Sequence, residues 1–414
     1  MANKELQEDI KQRFLRYTQV DTQSNPNKVM DNHPSTIIQI DLIKMLEKEL
    51  IEMGVSRIKV TDTGILIAHI DGNVEGAPCI GLMAHVDTAD AVKGNGVKPQ
   101  VIDSYDGGDI KLKSGLVIKA EENPQLEQYK GETIITSDGT TLLGADDKAG
   151  VSEIMSAVKI ILNDSSIKHG DIEVIFTCDE ETGCGMDVFP YDDIECDYCY
   201  TVDGGTRYEV ETECFNASHA DITFTGKSYH TGDARGRLVN ALTLAGKYIS
   251  SLPQAESPEA TDGRFGFYCP LDIKGSLDKA ELGVFMRDFD LGELERREKT
   301  LISLAETLQA IYPGAKVDVK IRKQYYNMVE VSKKNPKVVS SIFEAGKNLG
   351  MPLFEAIIRG GTDGARMAND AGIPCPNLFT GGHNFHSLNE WAALPAMEDS
   401  CRLIIEILKI GAQK

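Results

Sequence analysis

The chain has no long hydrophobic run, no excess of basic residues and no regular cysteine framework. Each absence removes a class of protein. No stretch approaches the roughly 18 consecutive apolar residues of a membrane-spanning helix. The opening Met1-Ala-Asn-Lys-Glu-Leu-Gln-Glu-Asp carries no apolar signal region, so a cytoplasmic protein without a membrane partner is expected. Positive charge is short: 43 Lys and Arg against 64 Asp and Glu leave a formal charge of -21. Such a balance argues against a nucleic-acid partner, whose backbone needs a basic face. The nine cysteines follow no paired spacing, which points to a reducing compartment. Cys196-x-x-Cys199 has no second pair or matching histidine to complete a zinc knuckle. Neither a GxxxxGK run followed by Ser or Thr nor a complete GxGxxG fingerprint occurs, so a nucleotide enzyme is not expected.

What remains is a soluble globular composition, 41% hydrophobic and 26% charged, over 414 residues. That length suggests two domains. A helical apolar pattern covers 35–54, with Ser35 as a plausible cap. Strands are expected at 58–70 and 79–86, a helix at 149–162, and strands at 172–177 and 197–202. Alternation of this kind implies an α/β fold with a mostly parallel sheet covered on both faces. From about residue 217 the order becomes strand, helix, two strands, helix, strand, the split pattern of a ferredoxin-like α+β domain. Helices at 336–349 and 397–410 then bracket a short strand near 377. The expected division is therefore a discontinuous first domain, 1–214 and 327–414, interrupted by a smaller one, 215–326. Residues 97–130, rich in Asp, Gly and Lys, break the alternation and read as a hairpin excursion near the site.

Chemistry-bearing residues gather at the ends of the expected strands: His85-Val-Asp87, Asp146-Asp147, Asp179-Glu180-Glu181 and Asp203, with His386 far downstream. In open α/β sheets ligands collect at the carboxyl ends of strands. Residues i and i+2 of a strand share a face, so His85 and Asp87 address one region, as a ligand and the carboxylate orienting it. Adjacent Asp146 and Asp147 would point apart in ordinary backbone, leaving one to reach the centre. An aspartate can bridge two cations about 3.5 to 4 Å apart. Singly, each group has an ordinary explanation, as a polar histidine, a helix start or a turn. Their joint occurrence in order, each at a strand end, favours a two-metal hydrolase.

The segments His85-Val-Asp87, Gly144-Ala-Asp-Asp-Lys-Ala-Gly150, Asp179-Glu180-Glu181, Asp203-Gly-Gly and the terminal Asn384-Phe-His386 resemble the zinc peptidase superfamily M20. Longer stretches, such as Thr141-Leu-Leu-Gly-Ala-Asp-Asp-Lys-Ala-Gly, Ile358-Arg359-Gly-Gly-Thr-Asp-Gly-Ala and Cys375-Pro-Asn-Leu-Phe-Thr-Gly-Gly, are similar to its tripeptide aminopeptidases. The resemblance runs from about Phe14 to the final helix. It implies two Zn²⁺ per subunit: Asp146 bridging, His85 and Asp203 completing one site, Glu181 and His386 the other. It makes Asp87 the orienting carboxylate and Glu180 the general base for hydroxide attack on the scissile carbonyl. It also implies a cis peptide between Asp146 and Asp147, and selects His386 over His383. His230 would cover the active site of a partner in a homodimer, making the inserted domain a lid and dimerisation domain. Arg359 would hold the substrate carboxylate, with Arg287 and Asn327 as further candidates. The expected reaction releases the N-terminal residue of a tripeptide. The alternative is another M20 hydrolase: a dipeptidase, carboxypeptidase or N-acyl amino acid deacylase.

Overall fold

The computed structural model describes residues 3–29 and 32–413. Their contacts separate into two units. One holds the residues up to Thr212, Met328–Ala356 and those from Thr362 onward; the other holds Glu213–Asn327 and Ile357–Gly361.

The first unit is organised by an eight-stranded sheet. Its order is Arg57–Val60, Leu66–Ile70, Ile172–Thr177, Ile80–His85, Tyr198–Gly204, Asn377–Phe379, Glu209–Cys214 and Phe354–Ile358. The four strands from Ile172–Thr177 to Asn377–Phe379 run parallel. Antiparallel strands flank them on either side. The central strands read as unbroken apolar runs because both faces are covered. Alternate residues go to opposite sides: Leu82, Ala84, Val174 and Phe176 join one buried cluster, and Met83 and Ile175 join another. Ile154 and Val158 of the helix Ala145–Asn163, with Ile404 and Leu408 of Leu394–Gly411, pack in the first of these clusters.

One detail differs from the sequence expectation. The helix expected to start at Ser35 begins at Gln39, after Ile38. Ser35 instead donates its N–H and hydroxyl to the carboxylate of Asp179, at 2.6 and 2.5 Å. A buried charge drew the hydroxyl away from the helix end. The helix expected at 149–162 is present and runs to Asn163; it is preceded by a kink at Asp146 and Asp147, whose dihedrals are non-helical. Residues in the 97–130 excursion form a hairpin, Ile110–Lys111 with Val117–Ile118. They also supply the strand Gln100–Ile102 of a small sheet containing Ile134–Thr136, Trp391–Ala393 and Gly382–His383.

The second unit has the expected β-α-β-β-α-β order. Its antiparallel sheet runs Phe267–Gly275, Lys279–Asp288, Asn216–Thr225, Lys316–Tyr325. Helices Ala241–Ser250 and Leu291–Ile311 bury Leu244, Tyr248, Leu294 and Leu301 against Ile222, Phe224 and Val284. Both helix starts are written in the sequence: Asn240 accepts from the N–H of Leu242 and Thr243, and Asp290 from that of Glu293.

Candidate active site

The carboxyl ends of three parallel strands converge on one cluster. Ile80–His85 delivers His85, Ile172–Thr177 leads into Glu180 and Glu181, and Tyr198–Gly204 carries Asp203. Asp146 lies between two histidines: its Oδ1 is 2.8 Å from His85 Nε2, and its Oδ2 is 3.0 Å from His386 Nε2. His386 Nε2 also lies 2.9 Å from Glu181 Oε2, and His85 Nε2 lies 3.6 Å from Asp203 Oδ1. Ligand atoms of His85, Asp146 and Glu181 fall within 4.8 Å of one another, as do those of His85, Asp147 and Asp203. Seven of the residues singled out by sequence, His85, Asp87, Asp146, Glu180, Glu181, Asp203 and His386, thus share one neighbourhood.

The cluster is held largely by backbone amides. Asp87, fully buried, accepts from the N–H of Glu180 at 3.0 Å and of Glu181 at 3.2 Å, and lies 3.3 Å from His85 Nδ1. It therefore orients the imidazole and the acidic turn together. Glu390, 1% exposed, accepts from four successive amides: Leu143 and Ala145 at 2.6 Å, Gly144 at 2.9 Å and Asp146 at 3.3 Å. The Asp146–Asp147 peptide is cis. Asp147 accepts from His85 N–H at 3.3 Å and Gly150 N–H at 3.2 Å. A Cβ on Gly150 would sit 1.7 Å from the Val202 carbonyl, so only glycine lets this helix approach the strand bearing Asp203. His386 and Asn384 hold left-handed φ values of 60° and 57°. The Asn384 amide donates to Asn123 Oδ1 at 2.8 Å, tying the histidine loop to the 97–130 excursion.

The three acids of Asp179-Glu180-Glu181 separate by their partners. Asp179 is consumed by Ser35 and by the Gln39 amide, which donates at 2.7 Å. Glu181 reaches His386, while its buried Oε1 has no hydrogen-bond partner. The Glu180 carboxylate feels the charges of His85, Asp203, Asp363 and Glu181, and makes no side-chain hydrogen bond among the described residues.

Burial dominates the electrostatics. It pushes Glu181 up to about 8, reinforced by the charge of Asp146, and Asp203 up to about 6 against the opposing charge of His85. Burial likewise raises Glu180 and Asp147 well above the usual carboxylate range. Asp146 goes the other way: hydrogen bonds with His386 and His85 outweigh its burial and hold it below that range. Hydrogen bonds to Asp146 and Glu181 carry His386 up to about 11. The protein alone supplies too little positive charge for this many buried acids.

The remaining sequence candidates lie in the second unit. His230 is exposed, its Nδ1 accepting from Gly232 N–H at 3.2 Å. Arg359 spends its fork on main-chain carbonyls: Nη1 donates to Gly263 at 2.7 Å and Phe265 at 2.9 Å, and Nη2 to Thr261 at 3.2 Å. Arg287 Nη1 donates to the carbonyls of Met286 at 2.9 Å and Ser218 at 3.2 Å. Asn327 accepts from Cys214 N–H at 3.3 Å and donates its own N–H to Asn216 at 2.9 Å. It joins the segments where the chain enters and leaves that unit. In the first unit, His383 stacks on Trp391 with ring centroids 4.0 Å apart. Sequence reasoning missed Glu390, an isolated acid with no pattern around it. It also gave no role to Asp363, which accepts from the Thr177 hydroxyl at 2.6 Å and whose charge reaches Glu180; its signal was the Gly-Gly-Thr-Asp stretch.

Such a cluster at the strand ends of an α/β sheet defines a hydrolytic enzyme with paired carboxylate and histidine ligand groups. The chain belongs to the peptidase family M20/M25/M40, which matches residues 124–410. It is 41% identical over 406 residues to a protein named Peptidase T from Clostridium perfringens, covering 98% of this chain and 99% of that one. A tripeptidase from Staphylococcus aureus has the same fold, with a TM-score of 0.79, 23% identity and 99% of each chain covered. So does a dinuclear metal-binding M20 peptidase from Bacillus subtilis, with a TM-score of 0.66, 14% identity and 98% of each chain covered.

Proposed function

We propose that the protein is a cytoplasmic dinuclear zinc aminopeptidase that releases the N-terminal residue of tripeptides. The observation that carries this reading is the Asp146 carboxylate, whose two oxygens face two different histidines at 2.8 and 3.0 Å. The donor set of imidazole and carboxylate suits Zn²⁺, and the partnerless buried Oε1 of Glu181 has a lone pair free for a cation. His85 and Asp203 would hold one ion, Glu181 and His386 the other, and Asp146 both. When bound, the ions supply Lewis acidity and lower the pKa of water.

The protein's own part is positioning and proton transfer. Asp87 fixes the His85 ring and the amides of Glu180 and Glu181 at once, so the base and the ligands keep register. Glu180, whose carboxylate has no hydrogen-bond partner to give up, accepts a proton from the attacking water and returns it to the leaving amine. His230 of a second copy, in a homodimer, supplies a hydrogen-bond donor to the substrate carbonyl as negative charge develops. Its exposure and single local contact leave the rest of the ring free for that role. Arg359 binds the peptide carboxylate after exchanging its hold on the 261–265 carbonyls, with Arg287 and Asn327 shaping that side of the second unit. The Peptidase T relative and the tripeptidase neighbour support the choice of a free-amine tripeptide.

Zinc-loaded protein is tested on matched dipeptide, tripeptide, tetrapeptide and N-acetyl-tripeptide substrates, with products separated and identified. Cleavage of the tripeptide after its first residue, and refusal of the acetylated form, is the expected pattern. Preference for the acetylated substrate would replace this reading with a deacylase.

A further inference from the structure

At the opposite end of the strand Ile172–Thr177 a second buried histidine sits among acids. His69 pairs across from Glu173 in the antiparallel register of these strands. It is 7% exposed, yet neither ring nitrogen has a hydrogen-bond partner. Carboxylates face both nitrogens. Nδ1 lies 3.4 Å from Glu195 Oε2, and Nε2 lies 3.6 Å from Asp171 Oδ2 and 3.7 Å from Asp71 Oδ1. Glu173 is 1% exposed. Its carboxylate is aimed by the N–H of Glu195, 3.0 Å from each oxygen, and of Cys196, 2.8 Å from one. One ligand atom from each of His69, Glu173 and Glu195 falls within 4.8 Å of the others.

The spacing is informative. A gap of 3.4 Å with no hydrogen bond is slack for an ion pair, but it fits two ligands of one tetrahedral ion. Bonds of about 2.0–2.2 Å to nitrogen and oxygen place such ligands about 3.3–3.6 Å apart. Local cations are few. Arg57 Nη2 lies 2.9 Å from Glu195 Oε1 and 3.2 Å from Oε2, and its Nη1 lies 3.4 Å from Asp71. Lys59 is engaged by Asp193. Asp71, Asp171, Glu173 and Glu195 therefore share one guanidinium and one imidazole, and of the four Glu173 is the one whose carboxylate is buried, which is costly without a counter-ion.

We propose that His69 Nδ1, Glu173 and Glu195 form a divalent-cation site separate from the hydrolytic cluster. The combination of imidazole with two carboxylates selects a borderline transition ion such as Zn²⁺ over Ca²⁺ or Mg²⁺. The opposite ring nitrogen faces Asp171 and Asp71, the arrangement by which a carboxylate orients a ligating histidine. Arg57 keeps Glu195 Oε1 while Oε2 turns to the ion. The site clips together the strands Leu66–Ile70 and Ile172–Thr177 and the loop preceding Tyr198, and takes no part in hydrolysis.

Full-length protein is stripped with a chelator and dialysed against graded Zn²⁺, and the metal bound per chain is measured. Wild type is expected to retain about one equivalent more than His69→Gln or Glu195→Gln. That same equivalent survives in His85→Ala. Glu195 has a side chain 56% exposed, so its substitution leaves the core intact, and circular dichroism checks folding. Peptide hydrolysis by Glu195→Gln stays at the wild-type level. Equal metal content in wild type and folded Glu195→Gln throughout the titration overturns the proposal.

Discussion

Two buried histidines on the strands flanking Ile172–Thr177 show how differently one sheet treats its two ends. His85 has both nitrogens engaged, one 2.8 Å from Asp146 and the other 3.1 Å from the Asp87 carbonyl. The acids around it are themselves held by backbone amides, Asp87 by two and the Asp146 loop by Glu390. His69 has acids at 3.4 to 3.7 Å and no hydrogen bond. The lesson is one of preorganisation. At the carboxyl ends, backbone amides fix Asp87 and Glu390, and these two position the histidine and the acids beside them, as chemistry requires. At the other end Glu173 and Asp171 are fixed this way, yet neither nitrogen of His69 gains a hydrogen bond, which suits a site that ties strands together.

The contrast is broken most sharply by removing the proposed base. Glu180→Gln should lower kcat/KM by about 10²- to 10⁴-fold, the usual worth of general acid-base catalysis, with metal content unchanged. His69→Gln should leave kcat/KM at the wild-type level in the same assay. A comparable loss in both would mean that the two ends of the sheet are not independent.

Glu390→Gln sharpens the comparison at an intermediate scale. The amide replaces one acceptor oxygen with a donor facing N–H groups, so the loop carrying Asp146 loosens. Metal affinity by competition with a chelator, and activity, should each fall by about 10- to 100-fold, as for other groups that orient ligands. Unaltered metal affinity would assign Glu390 to stability alone.

Glu153 gives the smallest effect and a third kind of buried acid, with neither a histidine nor an amide. Its Oε2 accepts from the Ser400 hydroxyl at 2.5 Å, and Oε1 has no partner. Burial raises its carboxyl well above the ordinary 4.5, with the Ser400 hydrogen bond opposing. The folded state therefore holds the proton to higher pH than the unfolded state does. That contribution is complete below about pH 4.5 and is lost as pH rises through the folded value. Glu153→Gln should stabilise the protein by about 1 kcal/mol at pH 8 and change little at pH 4, as read by thermal melting.

Legibility followed the physics of each element. The strand Ile172–Thr177 was readable to the residue, because an unbroken apolar run is a local property. Ser35 was misread for the converse reason: its partner, Asp179, is 144 residues away. Glu390 was invisible because an acid in a loop gains meaning only from the amides of residues 143–146, brought to it by the fold. Arg359 was expected to anchor substrate, and in the structure its donors meet the carbonyls of 261, 263 and 265.

By itself, the sequence determined the α/β alternation, the inserted β-α-β-β-α-β block and the set of acids and histidines available for chemistry. Periodicity and strand-end position are written in consecutive residues. Only the tertiary structure decided how Asp179, Glu180 and Glu181 divide, that Asp146 stands between His85 and His386, and that His69 has no hydrogen bond. Those outcomes depend on which distant donors reach each carboxylate, and a buried charge takes the role that its nearest donors leave open to it.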